Sequence, residues 1–95
     1  MSELKVIRLA TVPNIAGLHM RPATMIGNLT SEFNARVILR KDHRCVTATD
    51  VLQVLTLGAG PGDKLELIGE GPDAQAAVDA LVALIEGGFQ DGQPK

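Results

Sequence analysis

Two side chains near the start of this 95-residue chain can do chemistry together: His19 and Arg21, within the run Gly17-Leu18-His19-Met20-Arg21-Pro22-Ala23. A neutral imidazole is a nucleophile, and a guanidinium is a planar fork of donors that matches the oxygens of a phosphoryl group in a way lysine cannot. Pro22 suits the first turn of a helix, where its missing N–H costs nothing. His19 therefore stands beside backbone N–H groups that have no partner within the helix, at the positive end of the helix dipole. That field favours an anion at His19, such as a phosphoryl group carried on the ring. Gly17 lets the backbone approach closely. Taken alone, His19 reads more readily as a surface residue or a cap, and Arg21 as a solvated charge. Their arrangement about one helix start points to phosphoryl chemistry.

The elements that must position this pair follow from the apolar pattern. Residues 4–12 are rich in Val, Ile and Leu and stop at Pro13-Asn14, which predicts a strand with imperfect alternation. From Met20, the residues Ala23, Ile26, Leu29 and Phe33 recur every three or four positions, predicting an amphipathic helix closed by Asn34. Residues 35–41 place Val37 and Leu39 on one face and Arg36, Ile38 and Arg40 on the other. Lys41-Asp42-His43-Arg44 predicts a turn, and residues 45–49 the returning strand of a hairpin. Asp50 is a good N-cap for a short apolar helix through Val51, Leu52, Val54, Leu55 and Leu57, stopped by Gly58. After the turn Gly60-Pro61-Gly62-Asp63, residues 64–68 alternate as a last strand. Gly71-Pro72-Asp73 opens a final helix ended by Gly87-Gly88. Residues 90–95 are expected to be a disordered tail, leaving one domain over 1–89. The order strand, helix, strand, strand, helix, strand, helix is an α+β plan of two layers, with helices on one face of the sheet and water on the other.

Composition narrows the function. A net charge of -2 and only two aromatic residues, Phe33 and Phe89, argue against nucleic acid, which is met by basic surfaces and stacking rings. A hydrophobic content of 45% and charged content of 21% are those of an ordinary soluble domain, and no apolar run approaches the ~20 residues of a membrane helix. The first ten residues mix Glu3, Lys5 and Arg8 among apolar ones, unlike a secretion signal, so the expected compartment is the cytoplasm. Cys45 is the sole cysteine, which excludes an internal disulfide and reads as a small apolar filler in a strand. The two histidines, His19 and His43, lie far apart without spaced carboxylates, so no metal is expected. The Gly-rich run from Gly58 to Lys64 lacks the Gly-Lys-Ser/Thr ending of a nucleotide loop and precedes a strand, so it reads as a turn.

The segment from Gly17 to Ala23 resembles the phosphorylation signature of the HPr family, the histidine phosphocarriers of the bacterial phosphotransferase system, usually written Gly-Leu-His-Ala-Arg-Pro-Ala; only Met20 departs from it. The resemblance continues through Val46-Thr47-Ala48-Thr49-Asp50-Val51-Leu52-Gln53-Val54-Leu55-Thr56-Leu57-Gly58-Ala59, through Gly62-Asp63-Lys64-Leu65 and into Glu70-Gly71-Pro72-Asp73-Ala74, covering residues 4–89. It implies an open-faced β-sandwich of βαββαβα order, with a four-stranded antiparallel sheet and three helices on one face. It further implies that His19 is phosphorylated on Nδ1, assisted by Arg21, with Pro22 shaping the helix start. The donor would be enzyme I and the acceptor an enzyme IIA-type protein serving sugar uptake. The carrier would be monomeric and free of cofactors, consumed and regenerated rather than turning over. A carrier in a nitrogen- or carbon-regulatory branch, and an unphosphorylated interaction module, are the competing readings.

Two further features bear on partners. Asp50 stands where kinase-controlled relatives carry a regulatory serine. It serves as an N-cap, and its carboxylate could also imitate part of a phosphoserine charge; either way, serine-kinase control is expected to be absent. Met20, Val51, Leu52 and Leu55 are candidates for an apolar docking patch beside His19. Exposure is favoured for Met20 and Val51, whereas Leu52 and Leu55 fit the core as well as the surface. Asn28, Ser31 and Gln53 are polar where some relatives carry lysines.

Overall fold

The computed structural model describes residues 5–13 and 18–89. Its elements are β1 (Lys5–Thr11), α1 (Met20–Thr30), β2 (Arg36–Lys41), β3 (Arg44–Thr47), α2 (Val51–Thr56), β4 (Lys64–Glu70) and α3 (Ala74–Glu86). The expected order is present. The strands form one antiparallel sheet in the order β1-β4-β2-β3, so the last strand inserts between the first two.

Side-chain period two decides which half of each strand meets the helices. Ala10 pairs with Leu65, Leu39 with Leu67 and Val46, and Val37 with Gly69, and all of these are buried beneath the helical layer. The opposite face carries Ile7, Leu9, Arg36, Arg40 and Cys45, all exposed. All three helices thus lie on one side: Ala23 and Ile26 of α1, Val54 of α2, and Val78, Leu81 and Ile85 of α3 complete a single aliphatic core. The imperfect alternation of β1 has a local cause. Arg8 sits on the helix side, but at its margin, where its guanidinium donates to Asp79 of α3 at 2.8 Å. That bond, a second one from Gln75 and the Arg8 charge together hold the Asp79 carboxyl below the usual carboxylate range against a small opposing effect of burial.

Three expectations need correction. First, α1 ends at Thr30 rather than running to Asn34. The Thr30 and Ser31 hydroxyls donate back to the carbonyls of Ile26 and Gly27, at 2.7 and 2.9 Å. The N–H groups of Glu32 and Phe33 then turn to acceptors three residues back, tightening and ending the helix. Phe33 still packs on the core, which is why its spacing looked helical. Asn34 instead joins this turn to the start of α3, its N–H donating to Asp73 Oδ2 and its carbonyl accepting from the Asp73 N–H. Second, the hairpin turn is only Asp42-His43, with Lys41 paired to Arg44 and Asp42 at φ +56°, and β3 ends at Thr47 rather than at residue 49. Third, Cys45 is exposed, because the adjacent Val46 takes the inward face.

Candidate functional site

His19 is the N-cap of α1. Its backbone is extended (φ −116°, ψ −160°), its carbonyl accepts the Ala23 N–H at 2.9 Å, and its side chain makes no capping hydrogen bond. The imidazole is therefore exposed at the helix start and not spent on the role a serine or aspartate would fill there. Met20 and Arg21 follow as the first two helical residues, and Pro22 is the third; their N–H groups, where present, precede the first intrahelical bond. Pro22 and Ala23 are buried, which seats the helix start on the core and leaves the site at the surface.

The approach to the site is braced from one loop. The Leu18 N–H donates to the Ala59 carbonyl at 3.0 Å; the Val12 N–H donates to Asp63 O, and the Gly62 N–H to Val12 O, both at 2.8 Å. Gly62 adopts φ +86°, and the Asp63 carboxylate accepts the Gly60 N–H at 2.8 Å. The Gly-rich run is thus a turn, as expected, and it holds the chain on both sides of residues 14–17. Asn14 and Gly17, like Leu4 and the tail over 90–95, lie outside the described residues.

Arg21 is tied to the far end of the chain. Its Nη2 donates to the carbonyl of Phe89 at 3.2 Å across 68 positions of sequence. Sequence reasoning did not anticipate this contact with Phe89. The available signal was a lone aromatic after Gly87-Gly88, the pattern of a helix stop with an apolar anchor, but nothing local says which side chain its carbonyl meets.

The proposed docking residues divide. Met20 (57% exposed) and Leu52 (68% exposed) stand clear of the core, whereas Val51 and Leu55 are half-buried and pack against it. Val51 was expected to be exposed. Its Cγ2 instead closes over the Gly27 backbone where α1 and the start of α2 meet. Asp50 caps α2 as expected, accepting the Gln53 N–H at 3.2 Å. Asn28, Ser31 and Gln53 are all exposed, and His43 is an exposed turn residue remote in sequence from the site. No helix among the described residues is long and apolar enough to cross a membrane.

An open-faced α+β sandwich presenting an unencumbered histidine at a helix N-terminus, with an arginine in the same turn, is the architecture of a protein that takes up an anionic group at its surface. The family model described as the PTS HPr component phosphorylation site matches residues 7–87. The chain belongs to the HPr family of phosphocarrier proteins of the phosphotransferase system. It is 37% identical to the phosphocarrier protein HPr of Treponema pallidum, over 90% of this chain and 98% of that protein. It is 39% identical to the phosphocarrier protein NPr of Shewanella violacea, over 92% of this chain and 96% of that one. The crystal structure of a phosphocarrier protein HPr from Bacillus anthracis superposes with a TM-score of 0.81 at 30% identity, covering 85% of this chain and 96% of that one.

Proposed function

We propose that His19 is the phosphoryl-accepting residue, loaded on Nδ1 by phospho-enzyme I and unloaded by an enzyme IIA-type acceptor. The observation that carries this reading is the exposed imidazole at the N-cap of α1, free of any capping bond, with Arg21 in the same turn. In the forward step the Nδ1 lone pair forms a bond to phosphorus in line with the breaking bond, and the donor's histidine leaves with the electron pair of that bond. The guanidinium of Arg21 and the amides of the first turn stabilise the three equatorial oxygens, on which charge is spread in the transition state. Pro22 fixes the start of the helix that aims those amides. The phosphoramidate retains a high transfer potential, so the acceptor reverses the displacement. Met20 and Leu52 form the exposed apolar centre on which the partners dock, with Val51 and Leu55 supporting it from beneath. We assign the protein to the cytoplasm as a monomer that needs no cofactor.

The test is incubation with phosphoenolpyruvate and the cognate enzyme I, followed by intact mass measurement. A single acid-labile phosphoryl group is expected on the wild type and none on His19→Ala. An unmodified wild type sinks the carrier reading; labelling of His19→Ala sinks the site assignment. A regulatory branch is a second destination for the phosphoryl group. It is favoured by the resemblance to NPr, which at 39% identity is level with that to HPr at 37%. Transfer to a sugar-specific acceptor in one arm and to a regulatory acceptor in the other separates the two.

A further inference from the structure

The open face of the sheet carries an apolar row that the helices do not cover. Cross-strand register sets its side chains in three levels. Ile7, Ile68 and Ile38 stand side by side on β1, β4 and β2, and Thr47 of β3 continues the row. On one side of it lie Lys5, Glu70 and Arg36, and on the other Leu9, Glu66, Arg40 and Cys45. Ile7 is 54% and Leu9 61% exposed, whereas the outward face of an antiparallel sheet is ordinarily polar. The flanking ion pairs are also open to solvent. Lys5 Nζ is 3.7 Å from Glu70 Oε2, and Arg40 Nη1 is 3.5 Å from Glu66 Oε1 while its Nε donates to the Asp42 carbonyl at 3.2 Å.

The charges decide what fits on this face. A two-fold axis parallel to the strands, midway between β4 and β2, lays β4 of one copy over β2 of another. Every level then meets its own complement: Glu70 meets Arg36 of the second copy, Ile68 meets Ile38, and Glu66 meets Arg40, each contact occurring twice. Further out, Ile7 meets Thr47 and Leu9 meets Cys45. An axis laid across the strands along the isoleucine row instead sets Glu70 over Glu66 and Arg36 over Arg40, like charge on like. Sheets packed face to face keep their strands within about 30° of each other, so twist preserves the contacts nearest the axis. We propose that the open face binds a second copy of this chain, with the isoleucines at the centre and two glutamate–arginine pairs on either side. Four strands about 4.8 Å apart, each about six residues long at about 3.3 Å per residue, give a footprint of roughly 400 Å² per copy. Two such faces bury less than the ~1,200 Å² of a stable complex, so the association is reversible and dilution returns the monomer assigned above. His19 opens α1 in the opposite, helical layer, so both copies keep that site exposed. The proposal does not rest on the phosphocarrier reading.

The experiment is sedimentation velocity on the full chain from about 10 μM to 1 mM, with backbone amide shifts followed over the same dilution. The wild type should pass from monomer to dimer, with shifts at Ile7, Ile38, Arg40, Glu66 and Ile68 and none at the His19 end of α1. Arg40→Glu and Glu66→Arg, each checked by circular dichroism, should each weaken self-association at least about tenfold, because like charges then face each other at two places. Mixed one to one, the two variants should associate about as well as the wild type, since residue 40 of one meets residue 66 of the other with opposite sign at both places. Each variant alone breaks the same ion pair within its own chain, so rescue on mixing reports the contact between copies. The wild-type dilution shifts need no variant and decide the surface by themselves. A wild type still monomeric at about 1 mM, shifts confined to another surface, a dimer that dilution does not dissociate, or no rescue on mixing folded variants overturns the proposal.

Discussion

Replacing Gly69 with alanine tests how tightly α3 is seated on the sheet. Gly69 lies in β4, the strand between β1 and β2, paired with Val6 on one side and Val37 on the other, and it faces the helical layer. A Cβ built there falls 2.6 Å from Val78 Cγ2, 3.3 Å from the Ala74 carbonyl oxygen and 3.5 Å from Ala74 Cβ. Carbon atoms in good contact sit about 3.5–4.0 Å apart, so the new methyl is short of space by about 1 Å. Val78 is 0% exposed and cannot swing its methyl into solvent, and Ala74 offers only backbone and a single carbon, so α3 must lift or Val78 must leave its rotamer. Overpacking of this kind costs about 1–3 kcal/mol, of which the backbone entropy saved on losing a strand glycine returns about 0.5–1 kcal/mol. We expect Gly69→Ala to destabilise by about 1.5 kcal/mol, read as a fall in the urea midpoint at unchanged m-value and a drop in Tm of roughly 6–12 °C. Val78→Ala removes the opposing methyl, so the double variant should be more stable than the sum of the two single losses predicts, by about 1 kcal/mol. A neutral Gly69→Ala, or strictly additive losses, would refute the close seating of α3.

The other glycine at a helix contact should behave oppositely. A Cβ on Gly27 would meet Val51 Cγ2 at 3.6 Å and Ala48 O and Thr49 Cα at 3.7 Å, all ordinary contact distances, so Gly27→Ala should stabilise by about 0.5–1 kcal/mol in the same denaturation assay. A loss of stability there would mean that α1 and α2 approach more closely than described. Asp50→Ala should cost about 1 kcal/mol through loss of the α2 cap, and Asp50→Ser, which keeps a capping oxygen, should stay near wild type. A serine kinase acting on relatives should leave the wild type unmodified; phosphate on Thr47 or Thr49 would count against that. Asp79 titrates below its ordinary range because Arg8 and Gln75 donate to it, so its contribution is present above about pH 4 and fades as pH falls through the lowered value. Asp79→Asn should flatten the acid limb of stability against pH relative to wild type, with the slope between pH 5 and 8 unchanged; identical acid limbs would exclude the effect.

Most of the frame was legible because it is written in local patterns. The alternation of Val37 and Leu39 against Arg36 and Arg40 is the burial pattern of β2, and Asp50 caps α2 through a bond only three residues long. The departures arise where two signals compete within a few residues. The spacing that carries Phe33 onto the core looks like one more helical turn, but the hydroxyls of Thr30 and Ser31 have already ended the helix. Val51 is expected at the surface as part of a docking patch; the closeness of the Gly27 backbone makes it part of a helix contact. Cys45 has the composition of a core residue, and period two turns it outward because Val46 is the larger claim on the interior.

The order of elements, the face β2 buries and the placement of His19 and Arg21 about a helix start depend on neighbours no more than a few residues away, and so can be read from the chain directly. The seat of α3 over Gly69, the split of the docking residues into exposed and supporting ones, and the bond from Arg21 to the Phe89 carbonyl depend on distances between segments far apart in sequence. Those distances follow only once the whole core has packed, since a side chain's spacing along its own helix carries no information about the backbone atom it meets across 68 positions.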